Sequence, residues 1–169
     1  GCDVVSDFLK TQTDVSGMIL NLGGSSVMAY GEKPDGSDWK VALTDPRDPE
    51  GDYLGAITLN DGEFLSTSGD YEKYFIEDGK RYHHILDPKT GYPVWNGLDS
   101  VTVICDRGLF ADGLSTACFV LGMEDALKLL DKYDADAAFV DEDKNVYLTS
   151  GMKDRFELMK NTYTVRDLQ

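Results

Sequence analysis

The chain has 169 residues, 41% hydrophobic and 28% charged, enough apolar material for one globular domain with its own core. Sixteen Lys and Arg face thirty-one Asp and Glu, a net charge of -15 at pH 7. A surface this acidic repels phosphate backbones and anionic headgroups, which argues against nucleic-acid binding and electrostatic membrane docking, and no apolar run approaches the length of a membrane span.

Val4, Val5, Phe8 and Leu9 recur at helical spacing, so residues 3–12 are predicted to form a short amphipathic helix. Residues 18–22 read as a buried strand that stops at Gly23-Gly24, and 27–30 resume a strand. Residues 33–37 (KPDGS) are a turn by composition. The apolar runs 39–43 and 53–59 are predicted strands. Asn60-Asp61-Gly62 is a hairpin signal before a strand at 63–66, and Glu77-Asp78-Gly79 is a second one between 74–76 and 81–85. Residues 86–97 form a long loop with two prolines and two glycines; such loops often carry function. A strand at 101–104 precedes helices at 111–121 and 124–133, divided at Gly122. Strands at 137–140 and 146–149 flank a turn at 141–145 as a closing hairpin. Beyond Asp154 only Phe156 and Leu158 stand out as anchors. One helix, a run of strands, two helices and a hairpin make an α+β fold. Cys2, Cys105 and Cys118 match no zinc spacing and are no disulfide framework; Cys105 and Cys118 sit in apolar runs and are expected to be buried.

Three constellations could carry chemistry. The first runs from Tyr82 through His83, His84 and Asp87 to Pro93 and holds both histidines of the chain. Histidine suits proton transfer near neutral pH. In a strand His83 and His84 point to opposite faces, so one of them at most faces a given pocket. The simpler reading is an edge-strand pair before an Asp-Pro turn. The second is Ala111-Asp112-Gly113-Leu114-Ser115-Thr116-Ala117 at a helix start. Asp112 and Thr116 are four apart, on one helical face, and a carboxylate beside a hydroxyl can bind a hard cation such as magnesium. The simpler reading there is an Asp N-cap. The third is a pair of glycine turns, Asn21-Leu22-Gly23-Gly24-Ser25 and Ser66-Thr67-Ser68-Gly69-Asp70. Glycine lets backbone amides approach a phosphate or a flavin ring, although each turn could also simply end a strand.

Taken in order, these segments resemble the ApbE family of flavin transferases. The family pattern, approximately Asn-x-Gly-Gly, Thr-Ser-Gly-x-Tyr, His-Ile-Ile-Asp-Pro-x-Thr-Gly-x-Pro and Ala-Asp-Ala-Leu-Ser-Thr-Ala, stands here as Asn21 to Gly24, Thr67 to Tyr71, His84 to Pro93 and Ala111 to Ala117. The resemblance spans nearly all of residues 1–169, taken as one domain, and implies a mixed sheet and helix architecture, the C-terminal half of the family fold. It implies magnesium-dependent FMN transfer from FAD to a threonine hydroxyl of an acceptor protein, releasing AMP. His84 then looks like the base, with His83 a spectator. Asp112 and Thr116 look like the magnesium ligands. Ser68 and Gly69, with Gly23 and Gly24 nearby, look like part of the flavin wall. Gly113 replaces the usual Ala, Leu86 an Ile, and Ser25 an Asn or Asp. Gly1, Cys2 and Asp3 look like the end of a Lys-Gly-x-x-x-Asp motif whose lysine, together with a backbone-carbonyl metal ligand and about half of the flavin pocket, would precede this chain. The expectation is that a missing N-terminal segment or a second copy completes the site. Within the same resemblance, FAD hydrolysis to FMN and AMP, or a non-catalytic flavin-binding remnant, are alternatives. The acceptor sequence Asp-x-x-Ser/Thr-Gly-Ala-Thr is absent, so the chain is not itself the flavinylated partner. Members of the family usually act outside the cytoplasm, often as lipoproteins.

Overall fold

The computed structural model describes residues 1–12 and 14–168. In chain order its elements are α1 (Cys2–Leu9), β1 (Gly17–Leu22), β2 (Ser26–Gly31), β3 (Trp39–Leu43), β4 (Gly55–Leu59), β5 (Phe64–Gly69), β6 (Tyr74–Glu77), β7 (Lys80–His83), β8 (Leu98–Cys105), α2 (Gly108–Leu121), α3 (Met123–Lys132), β9 (Asp136–Asp141), β10 (Asn145–Leu148), β11 (Phe156–Leu158) and β12 (Thr164–Asp167). The main sheet has seven strands in the order β1-β2-β5-β8-β9-β10-β12. It is antiparallel except for β12, which runs parallel to β10 at the edge. Strands β11, β4 and β3 form a second sheet, and β6 and β7 a two-stranded ribbon. No helix among the described residues is long and apolar enough to cross a membrane.

All eight residues of β8 are buried, because both faces of the main sheet are covered. The period-2 alternation of side chains sends successive residues of β9 into different cores. Ala138 and Val140 join Leu43, Ile57, Leu59 and Leu65 in the core against the small sheet. Ala137 and Phe139 join Val101, Val103, Phe119 and Leu130 in the core against α2 and α3. A third cluster seats α1 through Cys2 and Leu9 on Met28, Phe64 and Ala111. Cys105 and Cys118 are buried free thiols, as expected, and burial pushes the Cys118 thiol up to about 12.

Two expectations change. The Asn60-Asp61-Gly62 turn does not close a hairpin. It carries the chain from β4 in the small sheet to β5 in the main sheet, where β5 pairs with β2 and β8. Both strands are almost fully buried, so they serve the core better on facing sheets than side by side. The segment after Asp154 is also more ordered than its pattern indicates: β11 pairs with β4, and β12 extends the main sheet past the predicted closing hairpin. The turn at Asp78 and Gly79 is a true hairpin, with φ of 49° and 76° at its two central residues, the left-handed pair that matches strand twist.

Ion pairs fasten the loop after β3 to the sheet. Asp45, 3% exposed, accepts from Lys160 and from the Tyr163 hydroxyl, both at 2.5 Å. Arg47 grips the carboxylate of Asp99 on β8 through Nε at 2.6 Å and through Nη2. Burial nevertheless pushes Asp99 from an ordinary 3.8 up to about 6, outweighing the Arg47 guanidinium that pulls it down. Between about pH 4 and 6 the folded chain therefore holds a proton that the unfolded chain has released, so this group's contribution to stability falls as pH rises through that window. Asp99→Asn removes the dependence. Melting curves of both proteins from pH 4 to 7 should show the wild type losing ground to the variant as pH rises, and a constant difference would refute the assignment.

Candidate active site

Helix α2 begins at Gly108, three residues before its predicted start, and Asp112 is not its cap. The cap comes from α1: the Asp3 carboxylate accepts the Gly108 and Leu109 backbone N–H groups at 2.9 and 2.7 Å. An anion placed there also meets the positive end of the helix dipole. No local pattern could show this, because 105 positions separate Asp3 from Gly108. Asp112 is thereby released from a structural role. Its side chain is exposed, enters no ion pair among the described residues, and touches Ser26 Oγ at 3.5 Å. It lines a cleft of about 140 Å³ with Gly1, Cys2, Asp3, Leu22, Ser26, Gly108 and Leu109.

One turn further along α2, Thr116 Oγ1 lies 2.8 Å from Ser68 Oγ, which is also 2.9 Å from Ser115 Oγ. The end of β5 is thus hydrogen-bonded to the helix face that carries Asp112. The Gly23-Gly24 turn joins the same corner. Ser25, just after it, receives the Thr67 N–H and the Ser66 hydroxyl on its carbonyl, each at 3.0 Å. Asn21 Oδ1 closes the turn by accepting the Gly24 N–H at 2.9 Å. Gly23 and Gly24 have φ of 70° and 85°, and a Cβ at either would meet nothing, so conformation demands glycine there. Gly69 is required for a different reason: a Cβ would stand 2.4 Å from the Tyr71 ring. Gly113 carries no such demand, and the Ala usual at that position would fit freely. Ser26 adjoins this hydroxyl cluster and was not singled out in the sequence, while Ser115 stood in the Ala111–Ala117 segment without a role of its own. A serine beside a turn and a serine on a helix carry no signal until the strands and α2 converge.

The two histidines divide as their alternation predicts. His83 is 4% exposed, and its ring meets Phe119 of α2 edge-on at 5.6 Å. The Ile85 N–H approaches Nδ1 at 3.3 Å, which leaves Nε2 as the protonated nitrogen that donates to the Val94 carbonyl at 2.8 Å. His84 is exposed, and its backbone N–H extends the β6–β7 ladder by bonding the Lys73 carbonyl at 3.0 Å. The loop that follows is closed on itself: Asp87 exchanges backbone hydrogen bonds around Thr90, Gly91 and Tyr92, and Leu86 bridges Pro93. Among the described residues no hydrogen bond or ion pair joins His84 to Asp112 or Thr116. Its ribbon connects to their corner through Asp70, which follows Gly69 and accepts from Arg81 of β7 at 2.7 Å.

Among the described residues no group of three or more His, Cys, Asp or Glu is placed to hold a metal. The donors in the α2 corner are one carboxylate and several hydroxyls, all hard oxygens. Whichever oxygen donates in the Thr116–Ser68 bond, Thr116 keeps a lone pair free. Such a set does not build an all-protein cage. It fits a magnesium ion that keeps several waters and shares substrate phosphate oxygens. A larger concavity lies elsewhere, a groove of about 800 Å³ between α3 and β12 that none of the predicted site residues lines.

The ApbE family model matches residues 1–140. A FAD:protein FMN transferase of Klebsiella pneumoniae is 41% identical over 166 residues, which are 98% of this chain and 50% of the relative. A FAD:protein FMN transferase of Treponema pallidum is 37% identical over 151 residues, 86% of this chain and 40% of the relative. Among solved structures, the flavinyl transferase ApbE of Pseudomonas stutzeri superposes with a TM-score of 0.72 at 39% identity, over 94% of this chain and 49% of its own. The flavin transferase ApbE of Vibrio cholerae gives 0.75 at 31% identity, over 90% and 48%. The chain spans about half the length of the relatives it matches.

Proposed function

This chain belongs to the ApbE family, and we propose that it supplies the acceptor-activating and metal-holding half of a transferase that moves FMN from FAD to a threonine hydroxyl of another protein. The observation that carries this reading is the convergence of Asp112, Thr116 and Ser68 with the Gly23-Gly24 turn at one corner. In the proposed reaction His84 takes the proton of the threonine hydroxyl. The threonine oxygen bonds to the phosphorus of the FMN half, the bond from that phosphorus to the bridging oxygen breaks, and AMP leaves. Ser68 and Gly69, with Gly23 and Gly24, form one wall for the flavin. Asp112 and Thr116 would hold a magnesium ion, which would supply charge neutralisation for the pyrophosphate. In the same reading residues 1–169 are one domain, the rest of the flavin pocket comes from outside it, and the protein acts outside the cytoplasm as family members usually do.

The test is to incubate the chain with FAD, magnesium and a synthetic peptide carrying Asp-x-x-Ser-Gly-Ala-Thr. A flavin-labelled peptide and free AMP are expected once the segment that supplies the rest of the flavin pocket is added. FMN and AMP without labelled peptide would mean hydrolysis, and no cleavage of FAD would sink catalysis by these residues alone. Asp112→Ala should raise the magnesium concentration needed at half-saturation at least about tenfold. An unchanged magnesium titration, followed by FAD fluorescence, would remove Asp112 from the ligand set.

A further inference from the structure

The ribbon β6–β7 carries an aromatic surface that the core does not use. All four residues of β6 are exposed. Phe75 pairs with Tyr82 across the ribbon, and their rings stack at 5.1 Å with planes 7° apart. Trp95 meets Tyr82 edge-on at 5.4 Å and anchors its indole N–H on the Arg81 carbonyl at 3.0 Å. Lys80 lies over the Trp95 ring at 3.0 Å. Phe75 and Trp95 remain 60% and 45% exposed. Three contiguous rings held by pairing, stacking and a hydrogen bond make a rigid surface, and exposed aromatic clusters of this kind mark contact sites.

The face on which these rings stand is fixed by alternation. Residues opposite one another on antiparallel strands project to the same side, and neighbours along a strand to opposite sides. Phe75 and Tyr82 therefore share one side, while His83 turns to the other and is buried against Phe119. His84, two residues beyond Tyr82 and just past the end of β7, is exposed and stays bonded to Lys73 through its backbone. Two residues along a strand span about 6.8 Å, the same step that an extended peptide makes in two residues. A hydroxyl brought to His84 thus places residues of its own chain over Tyr82 and its neighbours. The relatives are named FAD:protein FMN transferases, so their acceptor is a polypeptide. Charge also favours a protein segment here. From Glu72 to Lys89, four cations (Lys73, Lys80, Arg81, Lys89) balance four acids (Glu72, Glu77, Asp78, Asp87), in a chain whose net charge is -15.

We propose that the Phe75–Tyr82–Trp95 face is the docking surface for the polypeptide segment flanking the acceptor hydroxyl, a role that rests on the assignment of His84 as the base. The segment lies in extended form along β7, with apolar or small residues on the rings and its hydroxyl at His84. The platform is positioning machinery: it selects and orients the acceptor and leaves FAD alone.

The experiment measures binding of the Asp-x-x-Ser-Gly-Ala-Thr peptide, labelled with a fluorophore, to the wild-type chain and to Phe75→Ser, Trp95→Ser and Phe75→Tyr, with circular dichroism as a check on folding. FAD binding by flavin fluorescence and AMP release are read on the same proteins. Both Ser variants should weaken peptide binding at least about tenfold while the Tyr variant keeps it, since an anchoring aromatic carries much of such an interface. FAD affinity should stay within twofold throughout. Equal peptide binding by all four proteins, or no binding by the wild type, overturns the proposal. So does a loss of FAD affinity in the Ser variants, which would make the rings a flavin or adenine platform, or a dimer that Phe75→Ser converts to monomers, which would make the occupant a second copy. The two readings separate cleanly. Peptide that binds and is not labelled counts against transfer but not docking, whereas labelling with the same peptide KM in all variants counts against docking but not transfer.

Discussion

His84→Ala should lower FMN transfer by about 10²- to 10⁴-fold, the range that a positioned general base contributes, while FAD affinity changes little. The His84 side chain is exposed, and among the described residues its hydrogen bond to Lys73 is made by the backbone, which alanine preserves. A drop in activity therefore cannot be blamed on unfolding, and an unchanged melting temperature is part of the expected result. Transfer within threefold of wild type would show that another group takes the proton.

His83→Ala should do the reverse. In a chemical sense His83 is the spectator that alternation implies, but it is not a neutral position. Its ring fills space against Phe119 and gives the Val94 carbonyl and the Ile85 N–H their partners. Alanine opens a cavity and strands two buried backbone groups. The expected loss is at least about 2 kcal/mol, since an unsatisfied buried group alone costs roughly 1–3 kcal/mol. Chemical denaturation should show the loss directly. At a temperature where the variant is still folded, its catalytic rate should be close to wild type. A fully stable His83→Ala protein would mean that the ring is not packed as described. Adjacent residues with opposite phenotypes, one kinetic and one thermodynamic, follow from the two-residue period of a strand.

Much of this was legible in the sequence because it is local. The β6–β7 turn declares itself through Asp78-Gly79, β9 and β10 through their apolar runs, and the division of the histidines through strand alternation. The α+β class and the order of the motifs needed no long-range information. What escaped is non-local. Nothing near Asn60 says that β4 and β5 belong to different sheets, because a turn signal specifies a reversal of the chain and not the strands it will pair. Nothing near Asp112 says that Asp3 already caps its helix, and so the N-cap reading of Asp112 could not be dismissed. Asp45, Arg47 and Asp99 look like ordinary surface charges in a chain with thirty-one acids. Only burial between sheets makes them a network. The strand β12 has all four residues exposed, so it lacks the apolar pattern by which strands are recognised.

The Asp3 cap bears on how the molecule comes into being. During synthesis α1 is made before α2, yet its carboxylate has no helix end to hold until Gly108 has been added. Closing a loop of that length carries an entropic cost that grows slowly with its size, and contacts so distant in sequence tend to form late. Until they do, the first turn of α2 has exposed amides and is free to fray, and Asp112 rides on that turn's successor. The corner that would grip magnesium and pyrophosphate is therefore assembled at the end of folding, when the two ends of the story meet. An immature chain, with its sheet already paired, would still lack the corner where Asp112, Thr116 and Ser68 meet.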